Sequence, residues 1–212
     1  MKTFVILYAL LIMPFAIMAN TKTEVPLKYW KAGEAYLKTG EKIKGKIYYE
    51  IDKELVLILN KGKIKTYSPN QMEKFSIVDE ETGIHRLFYS ISISLSGQNK
   101  RQYFFEIMME GHVVLLRKQR TRSDGFGLFL FDESKIPGYG GYFDYYFLYD
   151  NQFTKVRRFK RDALAIMHDQ KDKVELFIQN NGLQLKKVDD QIRLLKYYNT
   201  ICEEQTWAKT RP

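Results

Sequence analysis

Residues 103–118 constrain this chain more than any other stretch. They read Tyr-Phe-Phe-Glu-Ile-Met-Met-Glu-Gly-His-Val-Val-Leu-Leu-Arg-Lys, two apolar strands meeting at Glu110 and Gly111. Gly111 supplies the positive φ of a tight turn, in a two-residue loop or in a type I turn closed by a bulge. With the two-residue loop, Met109 faces His112, Met108 faces Val113, Ile107 faces Val114, Glu106 faces Leu115 and Phe105 faces Leu116. Both faces of such a hairpin are apolar. Side chains alternate across a strand, so this pair needs a cover on each side.

The rest of the chain supplies candidates for that cover. Before the hairpin, short strands are expected at 35–37, 42–50, 55–59, 64–67, 75–78 and 84–95. Within 42–48 the alternation is strict, placing Lys42, Lys44, Lys46 and Tyr48 on a wet face and Ile43, Gly45 and Ile47 on a buried one. A lysine-striped strand also suits the edge of a sheet. Ser68 and Pro69 predict one helical turn, Ser68 as its cap. After the hairpin, strands are expected at 143–149 and 153–158. From Lys160 the apolar period lengthens to about 3.6. Three short helices follow, with Asp162, Asp172 and Asp189 as caps and Leu164, Met167, Val174, Phe177, Ile178, Ile192, Leu195, Tyr198 and Cys202 facing inward. The expected fold is α+β: about nine mainly antiparallel strands in a barrel-like or sandwich core, with a helical tail packed on it.

The chain opens Met1-Lys2 and then carries no charge from Phe4 to Ala19, 16 residues that include Pro14. A bilayer span needs about 20. The pattern predicts a signal peptide at 1–19, with an uncleaved anchor as the competing reading. No Cys lies near that boundary, so no lipid anchor is expected; the single thiol is Cys202. Residues 20–34 read as a linker ending in an aromatic, Trp30, that docks on the sheet, and 35–212 as one domain, β-rich to 159 and helical from 160. Without a cysteine pair, an exported domain must rely on its hydrophobic core. The material is ample: 45% of the chain is apolar, with 14 Phe and 15 Tyr.

Charge is uneven. Lys and Arg outnumber Asp and Glu by 15 to 12 over 20–116, by 10 to 5 over 117–161, and balance at 8 to 8 over 162–212. For an exported protein the anions on offer are envelope glycans, anionic membrane surfaces and other envelope proteins; nucleic acid is not expected. The basic excess surrounds the least regular stretch, 119–141, which at 23 residues exceeds an ordinary connection and holds five glycines. Arg117, Lys118, Arg120, Arg122, Phe126, Phe129, Phe131, Tyr139 and Tyr142 form the candidate ligand or interface loop. Aromatic rings beside cations suit stacking on sugars or insertion at a membrane interface, and folding back onto the core is the competing reading.

Gly45-Lys46-Ile47-Tyr48, Tyr67-Ser68-Pro69, Phe75, Phe104-Phe105-Glu106, Glu110-Gly111, Leu115-Leu116-Arg117 and Tyr197-Tyr198-Asn199, in that order, are what the chain shares with a group of exported bacterial proteins of uncharacterised activity, which it resembles over most of its length. The resemblance implies export and one continuous domain. It assigns no functional residue.

Catalytic signatures are missing from the sequence. His85, His112 and His168 fall in different elements with no metal-ligand spacing, and neither a nucleophile elbow nor a phosphate-binding glycine loop is present. No cofactor is implied. Ser68 reads as a cap and Cys202 as core. Glu106, inside the apolar hairpin, must be paired or protonated. The expected function is a non-enzymatic exported binding or structural protein. The alternative is a glycan or peptide hydrolase using Glu106 with a second acid such as Asp144.

Overall fold

The computed structural model describes residues 26–80, 83–94, 99–120 and 143–210. Ten strands form one antiparallel sheet: β1 (Lys31–Leu37), β2 (Lys42–Glu50), β3 (Leu55–Asn60), β4 (Lys63–Tyr67), β5 (Met72–Val78), β6 (His85–Ile93), β7 (Arg101–Met109), β8 (Val114–Gln119), β9 (Phe143–Tyr149) and β10 (Gln152–Lys155). Their order is β10-β9-β8-β7-β6-β5-β1-β2-β3-β4. Three helices follow, α1 (Phe159–Ile166), α2 (Lys171–Asn180) and α3 (Val188–Thr210). The α+β expectation holds, with ten strands in a single sheet. No helix among the described residues is long and apolar enough to cross a membrane.

The first half of the sheet is forced to curl. Strands β4 and β5 lie four places apart in the order, about 19 Å if the sheet were flat. Only Ser68–Gln71 join them, and the amides of Gln71 and Met72 both donate to the Ser68 carbonyl, at 3.0 and 3.2 Å, which tightens the link further. The strands between must therefore bend round. Their inner rings show the result: Tyr49 of β2 lies 5.4 Å from Phe75 of β5, 5.5 Å from Phe88 of β6 and 5.6 Å from Phe104 of β7. Ala35, Ile43, Ile47, Val56, Ile58 and Met72 complete this core. Gly33 and Gly45 face each other across β1 and β2, where a Cβ would overlap the Ser76 carbonyl and the Leu59 carbonyl respectively. Close backbone approach at the bend requires both glycines.

Three expectations for this half change. Ser68 does not cap a helix; it opens a hydrogen-bonded turn in which Gln71 Oε1 accepts from the Ser68 amide at 3.0 Å and its hydroxyl at 3.2 Å. Strand β1 starts at Lys31, inside the expected linker, because Lys31 pairs with Asp79 at 3.1 Å and Glu34 sits opposite Lys44. Trp30 docks as expected, buried and 6.0 Å from the Tyr48 ring. Strand β2 is no edge, since it pairs with β1 and β3; Lys42 and Lys44 instead meet Glu34 at 2.9 and 3.7 Å. The edges of the sheet are β4 and β10.

Strand β7 is the corner. Its residues 101–106 pair with β6, whereas pairing with β8 runs only from Glu106 to Met109, so the strand changes neighbours at Glu106. The hairpin register differs from the two-residue loop. Glu106 faces Arg117 and Ile107 faces Leu116, with an irregularity before Met109. A shift of two residues preserves which face each side chain occupies. It also brings an arginine, not a leucine, opposite the buried carboxylate. The wider turn at 110–113 is folded against α3: Asn199 Oδ1 accepts from the Val113 amide at 2.8 Å, and its Nδ2 donates to the carbonyls of Val113 at 3.0 Å and Glu110 at 3.3 Å. Gly111, at φ +143, leaves no room for a Cβ beside that amide.

Both faces of the hairpin are buried, as its composition demands. On one, Val113, Leu115 and Phe147 meet Ala163, Met167, Val174, Leu194, Leu195 and Tyr198 of the helical segment. Each fully buried large side chain there contributes roughly 1.5–3 kcal/mol. On the other, Phe105, Leu116 and Tyr146 form a cluster with Phe153 of β10, whose ring is 5.0 Å from Phe105. The helix caps depart from expectation. Asp162 lies inside α1 and reaches back to the amides of Arg157 and Arg158 at 2.7 and 2.8 Å, while Gln170 and not Asp172 precedes α2. Asp190 rather than Asp189 takes a backbone amide, that of Gln184 at 2.9 Å.

Candidate binding surface

Three of the nine candidate loop residues lie on described backbone, and each is tied to a carboxylate. Arg117 meets Glu106 at 2.8 Å, Lys118 pairs with Glu54, and Arg120 meets Asp144 at 2.6 Å. Arg122, Phe126, Phe129, Phe131, Tyr139 and Tyr142 lie outside the described residues. Arg117, Lys118 and Arg120 therefore hold the sheet together.

Glu106 is the most constrained acid. Arg86 Nε and Nη2 donate to its two oxygens at 2.9 and 2.6 Å, and Arg117 Nε and Nη2 donate at 2.8 and 2.9 Å. Burial alone would raise its pKa. The hydrogen bonds and charges of Arg86 and Arg117 outweigh that and hold the carboxyl below its ordinary range. The guanidinium groups in turn stack, Arg117 4.3 Å from the Phe143 ring centre and Arg86 5.0 Å from that of Phe88. Glu106 thus pins β6, β7 and β8 where β7 changes partners.

Glu54 closes the curl from the other side. It sits after the β2 strand in a left-handed conformation, φ 53, and turns its carboxylate to the edge of β7 that β8 leaves uncovered. There Oε2 accepts from the Phe104 amide at 3.0 Å and the Tyr49 hydroxyl at 3.1 Å, and Oε1 takes Lys118. A side-chain carboxylate does the work of a missing ladder carbonyl.

Asp144 does not join Glu106. It lies opposite Lys118, one residue along β8 from the arginine that faces Glu106, so the two acids project from opposite faces of the sheet. Burial raises its pKa, but Arg120 and Lys155, the latter at 2.7 Å, bring it below the usual value. The space beside Glu106, lined also by Tyr49, Phe104 and Phe143, is about 10 Å³. That holds no more than about one water.

The other chemistry-bearing residues have structural surroundings. The Tyr198 hydroxyl donates to Asp169 at 2.8 Å, and its pKa is raised, first by burial and then by that bond. Cys202 is a buried thiol beside it, its pKa raised chiefly by burial. The His112 ring lies edge-on to Tyr149 at 5.1 Å. Among the described residues no group of three or more His, Cys, Asp or Glu is placed to hold a metal ion.

Compared with protein-family models, curated proteins and solved structures, the chain matches none.

The surface that stands out was not among the candidate loop residues. At the β3–β4 end of the curl, Ile43, Ile58 and Tyr67 floor a hollow of about 300 Å³ rimmed by Lys61, Lys63, Lys65, Asn60 and Glu41. Lys63 and Lys65 stand opposite Asn60 and Ile58, so they share the concave face with the core. Three lysines against one glutamate make the rim basic. The signal was present in Lys61, Lys63 and Lys65, alternating from the turn into β4. It was missed because the lysines of β2 suggested the edge.

Proposed function

We propose that this chain is an exported, non-enzymatic binding protein of the cell envelope, taking an anionic partner at the basic hollow between β3 and β4. The observation that carries the reading is the state of Glu106. Four arginine N–H groups saturate its oxygens and about 10 Å³ of free space adjoins it, so it offers neither a transferable proton nor room for a sugar or peptide. Asp144, neutralised by Arg120 and Lys155, projects from the opposite face and does not converge with Glu106 as a pair of hydrolase acids must. The hollow, by contrast, combines an apolar floor with a rim of lysines, as binding sites do. Export rests on the charge-free run that ends at Ala19.

The test takes protein from its native envelope. Intact mass is expected to place its first residue at or near Asn20; a species retaining Met1 to Ala19 would mean an anchor. The purified protein is then incubated separately with sacculi, membrane vesicles and soluble envelope protein. Saturable, salt-sensitive binding without release of sugars or peptides is the expected result. Fragment release by the wild-type protein, in proportion to its amount through further purification, would establish a hydrolase instead.

A further inference from the structure

Among the described residues strand β4 ends the sheet, and none of them covers its outer edge. Lys61 and Gly62, at φ 49 and 74, form a two-residue turn, so Asn60 and Lys63 flanking it are a hydrogen-bonded pair. The alternation then directs the amides and carbonyls of Lys63, Lys65 and Tyr67 to β3 and those of Ile64 and Thr66 outward. Among the described residues nothing pairs with that outward edge. All of Lys63, Ile64, Lys65 and Thr66 are exposed, Ile64 to 57%, an unusual figure for a large apolar side chain in a strand.

We infer that this edge accepts an extended acidic peptide segment of a protein partner, which adds as an eleventh strand beside β4. The inference rests on the binding reading above and specifies its ligand. Backbone groups of Ile64 and Thr66 supply the ladder, and Ile64 gains a neighbour on the convex face. On the concave face, acidic side chains of the incoming strand meet Lys63 and Lys65 at the rim of the hollow.

Lysines on an edge strand also guard against unwanted pairing. That guard is selective. A second copy of this chain, pairing β4 with β4, would set its lysines against their equivalents, and like charges directly opposite destabilise a pair. A neutral segment gains nothing from the rim, whereas an acidic one lifts the repulsion and turns it into attraction. Charge at the edge thus chooses the partner.

The probe is a labelled synthetic peptide alternating Glu and Val, with its ends blocked, titrated against the full mature protein. Saturable binding that weakens with salt is expected. Lys63→Glu with Lys65→Glu should weaken it about tenfold or more, from several exposed pairs reversed at once. The same double variant should gain affinity for a peptide alternating Lys and Val. Thr66→Pro removes an outward amide and leaves the β3 ladder and all lysines intact, so it should fold, melt as wild type and lose the peptide. A peptide N-methylated at alternate residues tests the same point without altering the protein, and should not bind. If the methylated peptide binds as well as the parent, or polyphosphate displaces the peptide from wild type and Thr66→Pro equally, the site reads charge alone and strand addition is wrong. Dimerisation abolished by Thr66→Pro would make a second copy the occupant and equally overturn the inference. Failure of the peptide with undiminished binding of envelope material by Thr66→Pro would remove this site and leave the binding reading standing. Loss of envelope binding by wild type itself would defeat that reading first.

Discussion

Substituting Glu106→Gln should be among the costliest single changes in this chain. The carboxylate side chain is 6% exposed and lies between guanidinium groups that are 12% and 17% exposed. Gln keeps the shape but removes the charge, and its amide nitrogen must face arginine donors. Breaking a buried ion pair by removing one partner costs about 3–5 kcal/mol, because the remaining charges stay buried without compensation. For a domain of this size that corresponds to a fall in Tm of about 6–20 °C. Urea denaturation at pH 7 measures it directly, and an unchanged slope would show that the unfolded states are comparable. The pH dependence has a definite sign. The folded pKa of Glu106 lies below its ordinary value, so its contribution is complete above about pH 4.3 and is lost as pH falls through the folded pKa. The gap between wild type and Glu106→Gln should therefore be constant near neutrality and close in acid. Replacing all three groups together, Arg86→Met, Glu106→Leu and Arg117→Met, should cost much less, since apolar side chains of similar volume can fill a buried triad. A loss below about 1 kcal/mol for Glu106→Gln, or a triple variant no better than the single, would refute the view that this triad fastens the corner of the sheet.

Gly45→Ala should lower stability by several kcal/mol, because its Cβ would overlap the Leu59 carbonyl; thermal melting measures the loss, and a wild-type Tm would show that the bend at Gly33 and Gly45 is not tight. Asn199→Ala should cost about 2–4 kcal/mol by leaving the Val113 amide and two carbonyls without partners, and hydrogen exchange should show the 110–113 amides opening first. A chain ending at Lys160 should aggregate or melt early, since it exposes Val113, Leu115 and Phe147; stability equal to that of the whole protein would make the helices a separate module.

Local pattern carried most of the secondary structure. Strict alternation placed β2 and its buried face correctly, and the change of period at Lys160 located the helical segment. What escaped were features that depend on distant residues. The register at 106–117 is set with help from Asn199, 86 positions from Val113, and no property of the hairpin itself chooses between loop lengths. Glu54 looks like one more charge in a turn; its role appears only when the curl brings it to Phe104, 50 positions away. Edge and centre were confused for the same reason. Lysines on β2 and β4 look alike in sequence, and only the strand order shows that Lys42 and Lys44 of β2 meet a glutamate on β1 while those of β4 face none across β3.

The contacts of Tyr197, Tyr198 and Asn199 give this run of α3 a physical role. Tyr197 stacks on Phe177 with ring centres 4.0 Å apart, Tyr198 is fully buried with its hydroxyl on Asp169, and Asn199 folds the β7–β8 turn over Gly111. All three fasten helices to the hairpin. None lies near the hollow, which belongs to the curled half and relies on Gly33, Gly45 and the Ser68–Gln71 link for its shape. The sheet thus divides its tasks at Glu106. The half covered by helices supplies a large share of the buried apolar contact, and the half that ends in β4 keeps a charged edge that none of the described residues covers. Changes at Lys63, Lys65 or Thr66 sit on exposed positions of the last strand, where substitutions shift stability by about 0.5 kcal/mol or less, so binding at that edge can be altered while the fold stays intact.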